Sequence, residues 1–111
     1  MALADQLVEK RALLEGMVFV AIADIELKKG KEEEFKKWFL QSNRVLARQD
    51  GFIARKLLKS PNGSQHRIMV IMESKEAFAK MHTTSEHAKL HTEALAFMAR
   101  PPKISAYDSV S

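Results

Sequence analysis

The segment from Met17 to Leu27 constrains the fold of this chain most, because it is a predicted strand with two apolar faces. One face carries Phe19, Ala21, Ala23, Ile25 and Leu27, and the other carries Val18, Val20 and Ile22. A sheet that is covered by helices on one side needs only one apolar face. The chain has 111 residues and few elements left to cover the second face. We therefore expect a homodimer in which two sheets pack against each other.

The other periodic segments fall into a recognisable order along the chain. They are a helix from Lys31 to Gln49, strands Phe52 to Lys59 and Arg67 to Met72, helical segments Ser74 to Met81 and Thr83 to Ala99, and a strand Ile104 to Val110. This βαββαβ order predicts an α+β, ferredoxin-like fold with four antiparallel strands and helices on one face. Residues 1–16 are predicted to form an additional N-terminal helix, and residues 17–111 the ferredoxin-like domain.

The composition argues against several classes of partner. The formal net charge is +4, but the lysines are scattered and the densest group is interrupted by Glu32, Glu33 and Glu34, so we expect no nucleic-acid binding. No apolar run is long enough for a bilayer, and no signal peptide is evident, so no membrane partner is expected. With no cysteine in the sequence, disulfides and thiolate chemistry are excluded, and the cytoplasm is the expected compartment.

Histidines are the first candidates for a functional site. Of four in the chain, His82, His87 and His91 lie close together, and the last two are one helical turn apart. His87 and His91 are candidate ligands for a zinc or other divalent ion, with His82, His66 or Asp24 as a third ligand. Exposed histidines at this spacing are commoner than metal sites. His91 is favoured over His87, because it shares a predicted apolar face with Ala88, Leu95 and Met98.

Asp24 and Trp38 each allow two interpretations. Asp24 interrupts an apolar row, either because the strand reaches solvent there or because a carboxylate stands at the rim of a cleft between sheet and helices. Trp38 lies in the stripe of the first long helix, and core packing is favoured over stacking on a ligand. Motifs for phosphate loops, dinucleotide binding, zinc proteases and the hydrolase nucleophile are all missing.

Two stretches carry a resemblance to a known family. QDGFIARKLLKS, followed by IMVIMESKEAFAKMHTTSEHAKLHTEA, resembles the antibiotic biosynthesis monooxygenase superfamily over roughly Met17 to Val110. The resemblance implies a homodimer whose two sheets close into a shared α+β barrel, and a monooxygenase activity. It also implies a small aromatic or tetrapyrrole ligand.

Within that superfamily, the sequence resembles most the staphylococcal-type enzymes that degrade haem. The resemblance implies that haem is a possible cofactor, with His91 as the ligand of the haem iron. Met81, ten residues earlier, stands where those enzymes have a tryptophan, and Asp24 stands where they have an asparagine. Asparagine donates a hydrogen bond to a bound oxygen, whereas ionised aspartate only accepts. The haem interpretation predicts Asp24 and His91 as catalytic residues and Met81 as a wall of the site.

Three functional hypotheses remain open on the sequence. The first is an oxygenase that binds and degrades haem. The second is a cofactor-independent oxygenase of a small aromatic or quinone, in which His91 is an acid or base. The third is a non-catalytic dimeric barrel that binds a small apolar ligand or a protein partner.

Overall fold

The computed structural model describes residues 16–111, in which four strands form one antiparallel sheet and three helices lie on one of its faces. The elements are β1 (Phe19–Ile25), α1 (Glu32–Leu46), β2 (Phe52–Lys59), β3 (His66–Met72), α2 (Lys75–Met81), α3 (Ser85–Leu95) and β4 (Lys103–Asp108). The strand order β2-β3-β1-β4 confirms the predicted ferredoxin-like α+β fold. The helix predicted in residues 1–16 falls outside the described residues, apart from Gly16. Within residues 16–111, no helix has the length and apolarity to cross a membrane.

Strand β1 occupies the middle of the sheet and separates its two faces. Ile22 pairs with Met69 of β3 on one side and with Ser105 of β4 on the other. Side chains that point toward the helices, such as Phe19 and Ile25, are buried. The alternate residues, including Ile22, point away from the helices and stay partly exposed. Within the described chain, helices therefore cover only one face of the sheet.

Helix α1 buries one stripe against the sheet, as its sequence pattern predicts. The stripe consists of Phe35, Phe39, Ser42 and Leu46, all of them buried. The three glutamates of the first turn lie where the helix dipole favours negative charge. The helix ends at Leu46, three residues earlier than predicted, and Gly51 with a φ of +78° leads into β2. A Cβ at Gly51 would lie 2.5 Å from the Cβ of Ala77, so only glycine fits beneath α2.

Helices α2 and α3 each begin at a hydroxyl cap. Ser74 Oγ accepts a hydrogen bond from the backbone N–H of Ala77 at 3.1 Å. Thr84 Oγ1 does the same for the N–H of His87 at 3.2 Å, so Thr84 caps α3. The prediction that this helix starts at Thr83 is wrong by one residue, because the Thr83 hydroxyl instead donates to the carbonyl of Lys80 at 2.7 Å.

Candidate active site

A cavity of about 160 Å³ lies between the helical face of the sheet and helices α2 and α3. Most of its wall is apolar and includes Ala23, Val70, Met81, Leu90 and Ala94. Engineered protein cavities of about 150 Å³ hold a benzene molecule. The cavity therefore has the size of one aromatic ring.

Three histidines line this cavity, and His87 is the least exposed of them, since His82 and His91 are exposed. His87 shares the inward face of α3 with Leu90 and Ala94, three and seven residues further on, and its side chain is half-buried. Burial, and after it the nearby His82, His91 and Arg55, together lower the pKa of His87 to about 4. The imidazole is therefore neutral near neutral pH, so one ring nitrogen can accept a hydrogen bond.

His91 occupies a different position from the one predicted. Both His91 and Ala88 are exposed, so the predicted burial of His91 in an apolar stripe is wrong. The buried face of α3 is rotated by one residue and passes through His87 and Ala94. His91 still lies at the edge of the cavity, where its ring is stacked on that of His87 with centroids 6.3 Å apart. Met81, the other residue singled out on this side, is only 3% exposed and forms part of the cavity wall.

Arg55 is a site residue that the sequence analysis missed. It points from β2 toward the helices, where its guanidinium lies 4.2 Å from the ring centroid of Phe39 and forms part of the cavity wall. Burial lowers the pKa of Arg55 to about 10, which leaves the group charged near neutral pH. The signal in the sequence is strand alternation, because Ile53, Arg55 and Leu57 fall on one face of β2.

Trp38 packs in the core, as the sequence pattern favours, and its ring also reaches the cavity. Its ring packs against Phe35 and Phe97 in the core, with centroid distances of 5.3 Å and 6.0 Å. Its indole Nε1 donates a hydrogen bond to Glu93 of α3 at 2.9 Å. The ring also forms part of the cavity wall. Trp38 is thus a fixed aromatic surface of the cavity as well as a core residue.

Asp24 lies away from this cavity. It belongs to the face of β1 that points away from the helices, and its carboxylate pairs with Arg67 on the neighbouring strand, with Oδ1 2.5 Å from Nε. The structure therefore does not bring Asp24 and His91 together, and the interpretation of Asp24 as the rim of the sheet–helix cleft is wrong. The physical reason is the alternation of β1, which places Ala23 in the cavity wall and turns its neighbour outward.

The predicted metal site does not form among the described residues. Within residues 16–111, no group of three or more histidine, aspartate or glutamate side chains is arranged to hold a metal ion. The His82 ring lies close to that of His87, with centroids 4.1 Å apart, but Nδ1 of His82 lies 2.8 Å from the carbonyl oxygen of Phe78, within hydrogen-bond distance. The hypothesis of a divalent ion at His82, His87 and His91 is therefore wrong for this arrangement.

The cavity also does not fit a haem. A porphyrin contains four pyrrole rings, whereas the space beside His87 holds one ring. Met81 fills the position of the expected tryptophan wall, and no distal polar group comes from Asp24. The residues that the resemblance assigns to haem therefore do not form one haem pocket in this structure.

Comparison with known proteins places this geometry in a family. Residues 18–94, more than half of the chain, match the family model for antibiotic biosynthesis monooxygenases. The chain belongs to the antibiotic biosynthesis monooxygenase family. No curated protein matches the sequence significantly.

Solved structures agree with the fold of this monooxygenase-family protein. A "putative antibiotic biosynthesis monooxygenase" from Caulobacter crescentus is 23% identical, with a TM-score of 0.74 over 86% of this chain and 92% of that one. A protein of the same description from Bordetella bronchiseptica is 19% identical, with a TM-score of 0.77 over 86% and 99%. SnoaB, a cofactor-independent oxygenase from Streptomyces nogalater, is 18% identical, with a TM-score of 0.68 over 86% and 93%.

Proposed function

We propose that this protein is a cofactor-independent oxygenase of a small, one-ring aromatic compound that carries an ionisable hydroxyl group. One observation carries the proposal. The cavity is mostly apolar and has the volume of one aromatic ring, and its wall contains the neutral imidazole of His87 and the guanidinium of Arg55. Membership of the monooxygenase family and the fold shared with SnoaB support an oxygenase over a simple binding protein.

The proposed chemistry begins with a proton transfer from the substrate. The hydroxyl group donates a hydrogen bond to the neutral imidazole of His87, and its proton moves to that nitrogen as molecular oxygen takes electrons from the ring, because an oxidised phenol is far more acidic than the phenol itself. For a simple phenol, one ring C–H bond and the O–H bond break, one oxygen atom becomes the second carbonyl of a quinone, and the other leaves as water. Oxygen accepts four electrons and the phenol supplies them, so no separate reductant is required.

Oxygen uptake tests this function directly. We expect protein treated with a chelator to consume oxygen with a panel of phenols and hydroquinones, and His87→Gln to lower kcat by about 100-fold or more, because general-base catalysis contributes that much. Lys89→Gln, an exposed change on α3, is the matched control and should leave kcat unchanged. No uptake with any member of the panel, or full activity in His87→Gln, would overturn the proposal. Binding without uptake would support the non-catalytic hypothesis.

Haem degradation is the alternative implied by the resemblance, and haemin distinguishes it. The size of the cavity predicts no saturable Soret shift on titration with haemin. A shift that disappears in His91→Ala would contradict the one-ring proposal and support haem binding instead.

We also propose that the protein is a homodimer formed through the face of the sheet that points away from the helices. In the described residues this face carries an apolar patch made of Val20, Ile22, Met69, Ile71 and Tyr107. Tyr107 is 54% exposed in the single chain, and exposed apolar patches of this kind mark association sites. Two copies of the patch, related by a two-fold axis, would bury it by sheet-on-sheet packing.

A further inference from the structure

The guanidinium of Arg55 has more bonding capacity than the described residues use. Its Nη1 donates to Ser42 Oγ at 2.6 Å and to Asn43 Oδ1 at 3.1 Å. Both acceptors are neutral. The ion pairs formed within residues 16–111 do not include Arg55, so none of the carboxylates there balances its charge.

Aromatic rings hold the guanidinium in place without cancelling its charge. Its Cζ lies 4.2 Å from the ring centroid of Phe39 and 5.7 Å from that of Trp38. Ser42 is only 2% exposed, and its hydroxyl donates to the carbonyl of Phe39 at 2.8 Å, which leaves its oxygen lone pairs to accept from Arg55. Ser42 and Asn43 of α1 thus hold the Nη1 end of the guanidinium group in place.

A buried cation without a counter-ion is costly, and an anion that enters from the cavity relieves that cost. A carboxylate is the anion whose two oxygens match the remaining parallel N–H groups of a guanidinium. Arg55 and His87 both line a hollow of one-ring size, so a ligand that reaches Arg55 also lies near the imidazole.

We infer that the ligand of this cavity is a one-ring aromatic carboxylate, with its carboxylate on Arg55 and its ring against the apolar wall. The inference rests on the proposed function for the identity of the site, and it narrows the substrate class to hydroxybenzoates. In this arrangement the carboxylate anchors the molecule and a ring hydroxyl is left for His87. Arg55 acts as the specificity-determining residue.

Calorimetric titration distinguishes the contribution of the carboxylate to binding from that of the aromatic ring. We expect benzoate and 4-hydroxybenzoate to bind about 10-fold to 100-fold more tightly than benzamide and 4-hydroxybenzamide, which have the same shape but no charge. Equal affinities for acid and amide, or binding of neither acid, would overturn the inference.

Substitutions at Arg55 test where the anion binds. Arg55→Met removes the charge. Arg55→Lys keeps the charge but loses the planar guanidinium with its parallel N–H groups. Both changes should abolish the preference of acid over amide or reduce it to about 3-fold or less. Arg67→Met, an exposed arginine on the other face of the sheet, is the matched control and should keep the full preference. If circular dichroism shows that Arg55→Met is unfolded, the preference of Arg55→Lys for acid over amide provides the test instead. An undiminished preference in the folded variant would overturn the inference.

The same proteins distinguish this inference from the proposed function. Tight binding of benzoate that depends on Arg55, without oxygen uptake for any hydroxybenzoate, would uphold the anion site and contradict the oxygenase. Oxygen uptake with hydroxybenzoates whose kcat/KM is unchanged in Arg55→Met would uphold the oxygenase and overturn the anion site.

Discussion

At the scale of single residues, the lowered pKa of His87 makes the stability of the folded protein depend on pH. The folded pKa of about 4 lies below the ordinary value of 6.5, so between these values the unfolded chain binds more protons at this position than the folded one. The contribution of His87 to the free energy of unfolding should therefore rise with pH from 4 to 6.5 and stay constant above that range.

Denaturant unfolding measures this contribution. We expect a gain on the order of 1 kcal/mol across the range, less than the full shift implies, because solvent reaches the half-buried ring. His87→Gln should flatten the curve between pH 4 and 6.5, because it removes the titrating group. A variant that keeps the wild-type slope would show that His87 is not the group responsible.

Single residues also show where the sequence was least informative. The spacing of His87 and His91 placed both on one helix face, but which of them turns inward depends on the rotation of α3 against the sheet, which no local pattern determines. Arg55 was overlooked because a charged residue is by default assigned to the surface, although its alternation with Ile53 and Leu57 indicated an inward side chain.

At the scale of elements, the start of α3 fixes the position of His87. The Thr84 hydroxyl accepts the backbone N–H of His87, which would otherwise be one of the unsatisfied donors of the first turn. Thr84→Ala should lower the free energy of unfolding by about 1 kcal/mol. Thr83→Ala is the matched control, since Thr83 is exposed and does not cap the helix, and it should cost less than about 0.5 kcal/mol. Equal effects of the two changes would contradict the assignment of the cap.

The types of element were predictable from the sequence, and their ends were less so. Periods of two and 3.6 residues identified the four strands and the helices, and β2 matched from Phe52 to Lys59. Helix α3 stops at Leu95 instead of reaching Ala99, because the N–H of Lys28 donates to the carbonyl of Phe97 and the N–H of Ala99 donates to the carbonyl of Glu26. These bonds join distant segments, so a local pattern does not reveal them.

At the scale of the whole molecule, the uncovered face of the sheet predicts the oligomeric state. Ile22 lies at the centre of the apolar patch, so Ile22→Lys should place a charge in the proposed sheet-to-sheet interface and convert a dimer into a monomer at micromolar concentration. Light scattering coupled to gel filtration measures the change. Leu40→Lys, on the exposed side of α1, is the control and should remain dimeric. A monomeric wild-type protein would contradict the prediction.

The sequence predicted the two apolar faces of β1 correctly, and the partner sheet that would cover the second face stays a prediction. The sequence did not reveal the size of the cavity, which depends on how α2 and α3 sit over the sheet. A local pattern therefore does not distinguish a haem from a one-ring ligand, because the answer depends on the volume of the cavity beside Met81 and His87.

If the cavity binds a single aromatic ring, the fluorescence of Trp38 reports that binding most directly. Trp38 is the only tryptophan in the sequence and forms part of the cavity wall. Titration with hydroquinone or 4-hydroxybenzoate should change its emission saturably. Ala94→Leu, which fills the cavity from α3, should abolish the change while the protein stays folded by circular dichroism. An emission that does not respond, or that responds equally in Ala94→Leu, would contradict the account.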